Sequence, residues 1–226
     1  MSIAVDTKDC TALSDAELAE MADLCADGPL AYEVGELSKQ AEAWVLVTQA
    51  RDNGKLKGFS FSTLERIGGT PCVIVGLSSI HRTSKRDTVL RNIIQDQMRR
   101  AVLAFPDEDV LVSARFGEPG GFEAFRTLND IVPRAEHKAT GEERAWGSRL
   151  ARRYGITTSS YDQRAFLAKG SGDELAAVFD HSTLRPEDLD AELLERFDVI
   201  KADQGDSLIA FGWAMEEDLR KLAPAS

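Results

Sequence analysis

Cysteine and long apolar runs are both scarce in this chain. The three cysteines, Cys10, Cys25 and Cys72, are far apart and odd in number. They predict neither a disulfide framework nor a metal site with paired cysteine ligands. No apolar run approaches the roughly 18 residues of a membrane-spanning helix, and the sequence begins without a signal peptide. These features favour a cytoplasmic protein.

Basic residues are in the minority. The chain has 27 Lys and Arg against 38 Asp and Glu, which gives a formal net charge of −11. This excess of negative charge argues against general binding to nucleic acid or to an anionic membrane. Hydrophobic residues make up 43% of the 226 residues, as is ordinary for a globular protein with a buried core. The length fits one large domain, or a domain with an appended part.

One stretch of the sequence reverses the overall charge. The apolar segment 72–80 predicts a buried strand, and the spacing of apolar residues in 88–105 predicts a helix. Residues 81–100, which cover the turn and most of the predicted helix, contain six Lys or Arg and two Asp. A strand that enters a helix N-terminus through a basic turn predicts a site for a phosphate-bearing ligand. The alternative is a core strand and helix joined by a solvated turn.

Caps and turns indicate the order of the other elements. Ser14 with Glu17 predicts a capped helix, and Ser84 with Asp87 predicts a second capping box after the basic turn. Asn53-Gly54 predicts a tight hairpin. The predicted strands lie at 2–8, 44–50, 56–67, 72–80, 109–116 and 164–169, and the predicted helices begin near residue 14 and cover 30–43, 88–105, 122–131 and 142–154.

The C-terminal part shows a different pattern. A helix is predicted to begin near Thr183, followed by a hairpin of residues 198–202 and 207–213 and by a short last helix. The sequence therefore predicts an α/β fold with a mixed sheet and helices on both sides in residues 1–170. Residues 171–226 are predicted to form a helix-hairpin-helix extension that packs on this domain.

The order of elements, with the basic turn after the fourth strand, resembles the GNAT superfamily of acyl-CoA-dependent N-acyltransferases over roughly residues 3–170. In that family the turn has the pattern Arg/Gln-x-x-Gly-x-Gly/Ala, and its amides hold the pyrophosphate of coenzyme A. Arg82 matches the first position, whereas Lys85 and Asp87 stand where glycines are usual. Lys85 and Arg86 could meet phosphate through their charges. Asp87 would compete with an anion for the helix amides.

The resemblance implies a GNAT-like fold that uses acetyl-CoA as cosubstrate and no metal. It also implies that the donor is held at the end of the fourth strand, by the turn and by the start of the next helix. The binding residues implied in this way are Leu77, Ser78, Ser79, Ile80, Arg82, Thr83, Ser84, Lys85, Arg86, Asp87 and Thr88.

Candidates for proton transfer are few. In the family a tyrosine on the helix after the fifth strand commonly protonates the leaving thiolate, but Phe125 stands about there and has no proton to give. Tyr154 and Tyr161 come too late in the chain to match that tyrosine. His81, with its near-neutral reference pKa, and Glu65, on the third strand, are the predicted catalytic residues. The alternative for both is an ordinary structural or surface role.

Two functions follow from these observations. The first is an N-acetyltransferase that transfers an acetyl group from acetyl-CoA to a small-molecule or peptide amine. The alternative is a catalytically inactive GNAT-fold module for binding or regulation, which the missing glycines and the missing tyrosine favour. The sequence predicts no nucleic-acid, membrane or metal partner, and it leaves a homodimer open.

Overall fold

The computed structural model describes residues 3–180 and 191–222. In this part the strands are β1 (Ala4–Asp9), β2 (Leu46–Asp52), β3 (Lys55–Ile67), β4 (Thr70–Ile80), β5 (Val110–Phe116), β6 (Asn129–Val132), β7 (Tyr161–Asp162), β8 (Leu167–Ala168), β9 (Phe179–Asp180) and β10 (Ser207–Ala214). The α-helices are α1 (Asp15–Cys25), α2 (Val34–Ala43), α3 (Arg86–Ala104), α4 (Gly141–Arg153), α5 (Ala191–Glu195) and α6 (Glu216–Leu219).

Short sequence signals place several of these elements. Ser14 and Glu17 form the predicted capping box at the start of α1, so two of the helix's unpaired amides are satisfied there. Asn53 and Gly54 take positive φ angles of 51° and 80°, which the tight turn between β2 and β3 needs. Both predictions are confirmed.

The described strands form one mixed sheet in the order β1-β2-β3-β4-β5-β10-β8-β7, with β6 paired to β10 and β9 paired to β4. β2, β3 and β4 are consecutive antiparallel neighbours. α3 then connects β4 to β5, and β5 runs parallel to β4. This arrangement confirms the predicted mixed sheet and the GNAT-like order of its central strands.

The sheet separates two apolar clusters. Residues of α1 and α2, such as Met21 and Leu37, pack with Leu77 of β4 in one cluster. The other contains the inner residues of α3, such as Ile93, together with β5, β10 and α4. Helices therefore cover both faces of the sheet, because each strand places alternate side chains on opposite faces.

The predicted cap of α3 is wrong. The helix begins at Arg86 with Lys85 in the N-cap position, and within the described residues no side chain forms a cap hydrogen bond there. Thr83 closes the preceding turn instead, because its carbonyl accepts from the Arg86 amide at 3.1 Å and its Oγ1 accepts from the Lys85 amide at 3.4 Å. Ser84 therefore lies inside a turn rather than at the helix boundary.

The predicted helix over 122–131 is also wrong. Pro119–Phe125 is a 3₁₀ helix, and Asn129–Val132 is β6, which pairs with β10. The apolar spacing of Phe122 and Phe125 fits the three-residue turn of a 3₁₀ helix as well as it fits an α-helix. The segment after it is β6, and its partner β10 lies far away in the sequence.

The predicted C-terminal hairpin is wrong for a similar reason. Ser207–Ala214 is β10, but its partners are β5, β6 and β8, and Ala202–Gln204 forms a 3₁₀ turn. The apolar strand is buried between other strands instead of folding back on its neighbour. The predicted start of a helix near Thr183 lies outside the described residues, and the short last helix is confirmed as α6.

The division of the chain at residue 170 stays a prediction. The structure adds that β9 and β10, which follow residue 170, pair with β4 and β5, which precede it. Across residues 3–180 and 191–222, no helix has the length and apolar character to cross a bilayer.

Candidate functional site

A gap opens between β4 and β5 after a short parallel contact. The two strands pair only at Cys72–Leu111, Val73–Val112 and Ile74–Ser113. Beyond this point β4 remains paired to β3 on one edge. Its other edge is free of β5, so backbone N–H and C=O groups there are available to another partner.

β4 carries a bulge where the gap begins. Its pairing with β3 shifts by one residue between Val75 and Ser78, so Gly76 and Leu77 together face a single β3 residue. A bulge changes the direction of backbone groups and is common beside active sites. Gly76 also lies against the Trp44 indole, since a Cβ atom at position 76 would be 2.3 Å from that ring.

The chain itself fills the gap. We call residues 175–180 the inserted segment. It ends in β9, which pairs in parallel with β4 at Ser78 and Ser79, and the Ser78 amide donates to the Val178 carbonyl at 3.1 Å. Because β3 takes the other edge of β4, the inserted segment lies on the side of β5. The last three residues of the segment are each at most 3% exposed.

Arg82 marks one end of the gap. Its Nη2 atom lies 3.0 Å from Asp180 Oδ1 and 4.0 Å from Glu118 Oε1. The Ser79 hydroxyl donates to Asp180 Oδ2 at 3.2 Å. The predicted pyrophosphate ligand Arg82 is therefore paired with a carboxylate of the inserted segment. We call this place the Arg82 end.

At the Arg82 end, Glu118 and Asp180 are close enough for the charge of Asp180 to disfavour ionisation of Glu118. Burial and, to a smaller extent, the nearby Asp180 charge raise the pKa of Glu118 to about 7, although Arg82 opposes the shift. Burial also raises the pKa of Asp180, although Arg82 and Ser79 stabilise its ionised form. Glu118 is therefore partly protonated at neutral pH, which lowers the negative charge beside Arg82. A cavity of about 330 Å³ adjoins both carboxyl groups.

Tyr154 marks the other end of the gap. Its hydroxyl oxygen lies 3.1 Å from the Val75 carbonyl and 3.2 Å from Ser113 Oγ. Ser113 is the last β5 residue that pairs with β4, so the phenol sits where the two strands separate. Burial raises the pKa of Tyr154, so the phenol keeps its proton. This place is called the Tyr154 end.

A second cavity, of about 320 Å³, opens at the Tyr154 end, and its lining includes Arg115, Tyr154 and Ala176. Arg115 Nε donates to Ser207 Oγ at 3.0 Å, and burial lowers the pKa of its guanidinium. The Tyr32 hydroxyl donates to the Ala176 carbonyl at 2.5 Å. The deep part of the inserted segment is thus held by a phenol on the loop between α1 and α2.

The other predicted residues of the basic turn have separate environments. Lys85 Nζ lies 2.6 Å from Asp52 Oδ2, whereas Arg86 is buried and its Nε atom has no hydrogen-bond partner in the described chain. The Leu77 and Ile80 side chains belong to the core. Thr83 is partly buried, and Ser84, Asp87 and Thr88 are exposed. The charged groups of Arg82, Lys85 and Arg86 therefore do not converge on one place.

The two predicted catalytic residues lie far apart. His81 follows β4 at the Arg82 end, with Nε2 3.8 Å from Asp27 Oδ2, and its Nδ1 is buried without a partner in the described part of the chain. Glu65 lies near the opposite end of the β3–β4 hairpin, where it forms an ion pair with Arg153. At about 3.3 Å per strand residue, His81 is also roughly 20 Å along β4 from Val75.

Phe125 packs with Phe116 at a ring-centroid distance of 5.1 Å and is fully buried. It therefore belongs to the core. The phenols near the gap come from elsewhere in the chain: Tyr154 follows α4, and Tyr32 precedes α2.

No family model matches the sequence, and none of the curated proteins matches it. The fold is similar to those of several solved acetyltransferases. An acyl-CoA N-acyltransferase from Pseudomonas aeruginosa is 16% identical, with 50% of this chain and 78% of that chain covered and a TM-score of 0.37. The ribosomal-protein-S18-alanine N-acetyltransferase from Escherichia coli is 11% identical, with 62% and 86% covered and a TM-score of 0.38. Escherichia coli ElaA is 14% identical, with 62% and 95% covered and a TM-score of 0.41.

The strand order and directions place the chain in the α/β class with a GNAT-like fold. Sequence reasoning missed Tyr32, Glu118 and Asp180 at the gap, and it set Tyr154 aside because of its late position in the chain. Glu118 had one usable signal, since it is a carboxylate two residues after the end of the buried strand β5. The other three reach the gap only through contacts that are distant in sequence.

Proposed function

We propose that the chain is an acyl-CoA-dependent N-acyltransferase that uses acetyl-CoA and acylates a small-molecule or peptide amine. The observation that carries the proposal is the gap between β4 and β5 with the Tyr154 hydroxyl at its base. A split pair of parallel strands offers backbone groups on β4 to an extended ligand. The phenol supplies a proton donor where the strands separate.

The donor would lie along the gap. Its pyrophosphate is assigned to Arg82 and the turn that follows, and its pantetheine arm to the β4 edge at Ser78 and Ser79. Its thioester would then lie near the bulge at Gly76 and Leu77, where a redirected backbone amide can polarise the carbonyl. The amine acceptor is proposed to enter through the cavity at the Tyr154 end.

Tyr154 is the proposed general acid. The amine nitrogen attacks the thioester carbon, the C–S bond breaks, and the sulfur receives the Tyr154 proton. The proton that the amine releases restores the phenol through solvent in the cavity. A general acid typically contributes about 100-fold or more to the rate. His81 has no part in this step, because it lies roughly 20 Å along β4 from Val75. Glu65 is paired with Arg153, the residue before Tyr154, and is assigned no proton transfer.

A comparison of two tyrosine variants tests the proposal. Acetyl-CoA is supplied with a panel of amines, and release of the coenzyme A thiol is measured. Tyr154→Phe should lower turnover about 100-fold and leave the Kd for coenzyme A unchanged. Tyr161→Phe is the matched control, since the Tyr161 hydroxyl is buried without a partner in the described residues and lies on β7. Equal turnover by the two variants, or no turnover by the parent protein with any amine, would overturn the proposal.

A second candidate function is a non-catalytic binding or regulatory module with a GNAT-like fold. One observation favours it: four of the six residues of the inserted segment are at most 3% exposed, and Arg82 is already paired with Asp180. Under this alternative the inserted segment is a permanent part of the core, and coenzyme A at millimolar concentration should leave the melting temperature unchanged.

A further inference from the structure

The inserted segment uses the same groups of the fold that the proposed function assigns to the acyl donor. We propose that residues 175–180 are an internal substitute for acyl-CoA, and that the segment must leave the gap before a donor can bind. This inference rests on the proposed function, because it takes the gap to be the donor site. It adds that the described conformation is self-inhibited.

The anionic end of the segment occupies the basic end of the gap. Asp180 places its carboxylate 3.0 Å from the Arg82 guanidinium and accepts from the Ser79 hydroxyl at 3.2 Å. Its side chain is 2% exposed. This charge-assisted pair joins a buried carboxylate to a guanidinium whose side chain is 34% exposed, and it uses the donor groups that a pyrophosphate would otherwise contact. The carboxylate and a phosphate cannot both occupy this place.

The middle of the segment occupies the strand edge. The Ser78 amide, which an amide of the pantetheine arm would otherwise meet, donates to the Val178 carbonyl at 3.1 Å. Side chains alternate as in an ordinary strand: Val178 packs in the cluster beneath α1 and α2, and Phe179 packs 6.0 Å from the Phe116 ring. The segment thus has its own partners on both faces of the sheet.

The deep end of the segment places a carbonyl near the base of the gap. The Ala176 carbonyl accepts from the Tyr32 hydroxyl at 2.5 Å, and Ala176 is 2% exposed. From Asp180 inward, the segment therefore presents an anion, a backbone amide arm and a polarised carbonyl. An acyl-CoA presents the same chemical groups in the same order, as pyrophosphate, amide-containing pantetheine and acyl carbonyl.

Competition of this kind has a measurable consequence. A ligand that binds only when the segment is out of the gap has its apparent Kd raised by the reciprocal of the open fraction. Weakening the segment without touching the donor site should therefore tighten coenzyme A binding. Tyr32→Phe removes the phenol that holds Ala176 and changes no charge. Asp180→Asn removes the carboxylate that faces Arg82.

The experiment measures coenzyme A binding by titration calorimetry for the parent protein, Tyr32→Phe, Asp180→Asn and Asp206→Asn. Asp206→Asn is the matched control, because the buried Asp206 carboxylate pairs with the half-exposed Lys169, and both residues lie outside the inserted segment. Tyr32→Phe and Asp180→Asn should each bind coenzyme A about 10-fold or more tightly than the parent. Asp206→Asn should bind like the parent. Circular dichroism verifies that each variant is folded.

Hydrogen exchange supplies an independent readout. Coenzyme A should accelerate amide exchange in residues 176–180 and slow it in residues 83–88. Equal affinities in all four proteins with unchanged exchange in 176–180 would overturn the inference and leave the proposed function standing. Failure of every folded variant to bind coenzyme A would overturn both and support the non-catalytic module.

Discussion

At the scale of single residues, the Arg82 end combines burial with an excess of negative charge. Two carboxyl groups, Glu118 and Asp180, share one guanidinium. Arg82 can neutralise one of them, and the protein interior disfavours a second unpaired charge. Glu118 therefore keeps its proton to a higher pH than an ordinary glutamate does.

This conflict makes stability depend on the ionisation of Glu118. The folded-state pKa is about 7, against a reference of 4.5. Between these values the folded chain binds a proton that the unfolded chain has released, so the free energy of unfolding falls as pH rises through this window. The Glu118 side chain is 29% exposed, so solvent screening reduces the effect, and we expect a loss of about 2 kcal/mol between pH 4.5 and pH 8.

Glu118→Gln should remove that loss. Urea denaturation should find the variant about 2 kcal/mol more stable than the parent at pH 8 and nearly equal to it at pH 4.5. Glu42→Gln, an exposed change on α2, serves as the control and should give the same difference from the parent at both pH values. A Glu118→Gln effect that does not change with pH would mean that Glu118 is not the titrating group.

At the scale of elements, local side-chain hydrogen bonds decide where some helices begin but not others. Ser14 Oγ accepts from the Glu17 amide at 3.3 Å, and the Glu17 carboxylate accepts from the Ser14 amide at 3.0 Å. Ser84 has the same sequence pattern with Asp87, yet α3 begins two residues after it. The difference arises because Thr83 closes the turn before α3.

Two serine variants test this distinction. Ser14→Ala should lower the free energy of unfolding by about 1 kcal/mol, because it removes the N-cap acceptor of α1. Ser84→Ala should change it by no more than a few tenths of a kcal/mol, because Ser84 caps nothing in the described structure. Denaturant titrations at one pH give both values. Equal losses would show that Ser84 supports its helix in solution.

At the scale of the whole molecule, the sheet depends on strands from the end of the chain. β10 pairs with every residue of β5 from Val110 to Phe116, and it also pairs with β6 and β8. Without β10, the β5 edge and the apolar residues around it would face water. The sheet is therefore a shared structure of the segments before and after residue 170.

A truncated chain tests this dependence. A fragment of residues 1–170 lacks the inserted segment and β10, so it should show no cooperative unfolding transition and no near-ultraviolet circular dichroism of a packed core. The full chain under the same conditions is the control. Cooperative unfolding of the fragment would establish residues 1–170 as an independent domain.

The sequence by itself determined the features that depend on neighbouring residues. The Asn53-Gly54 turn, the Ser14 capping box and the strands that became β2 to β5 are all encoded in short patterns of side chain and backbone preference. Their order was enough to predict the mixed α/β sheet and its GNAT-like centre. The basic turn was also correctly placed between β4 and α3.

The tertiary structure alone decided the environment of the candidate site. Asp180 lies 98 residues from Arg82, and Tyr154 lies 79 residues from Val75, so no local pattern could show that they meet. The same holds for β10, whose apolar sequence fits a hairpin as well as a buried central strand. A strand's sequence specifies that it needs partners, but the partners are chosen by burial and hydrogen bonding across the completed sheet. In this chain, the inserted segment is the partner that occupies the gap between β4 and β5.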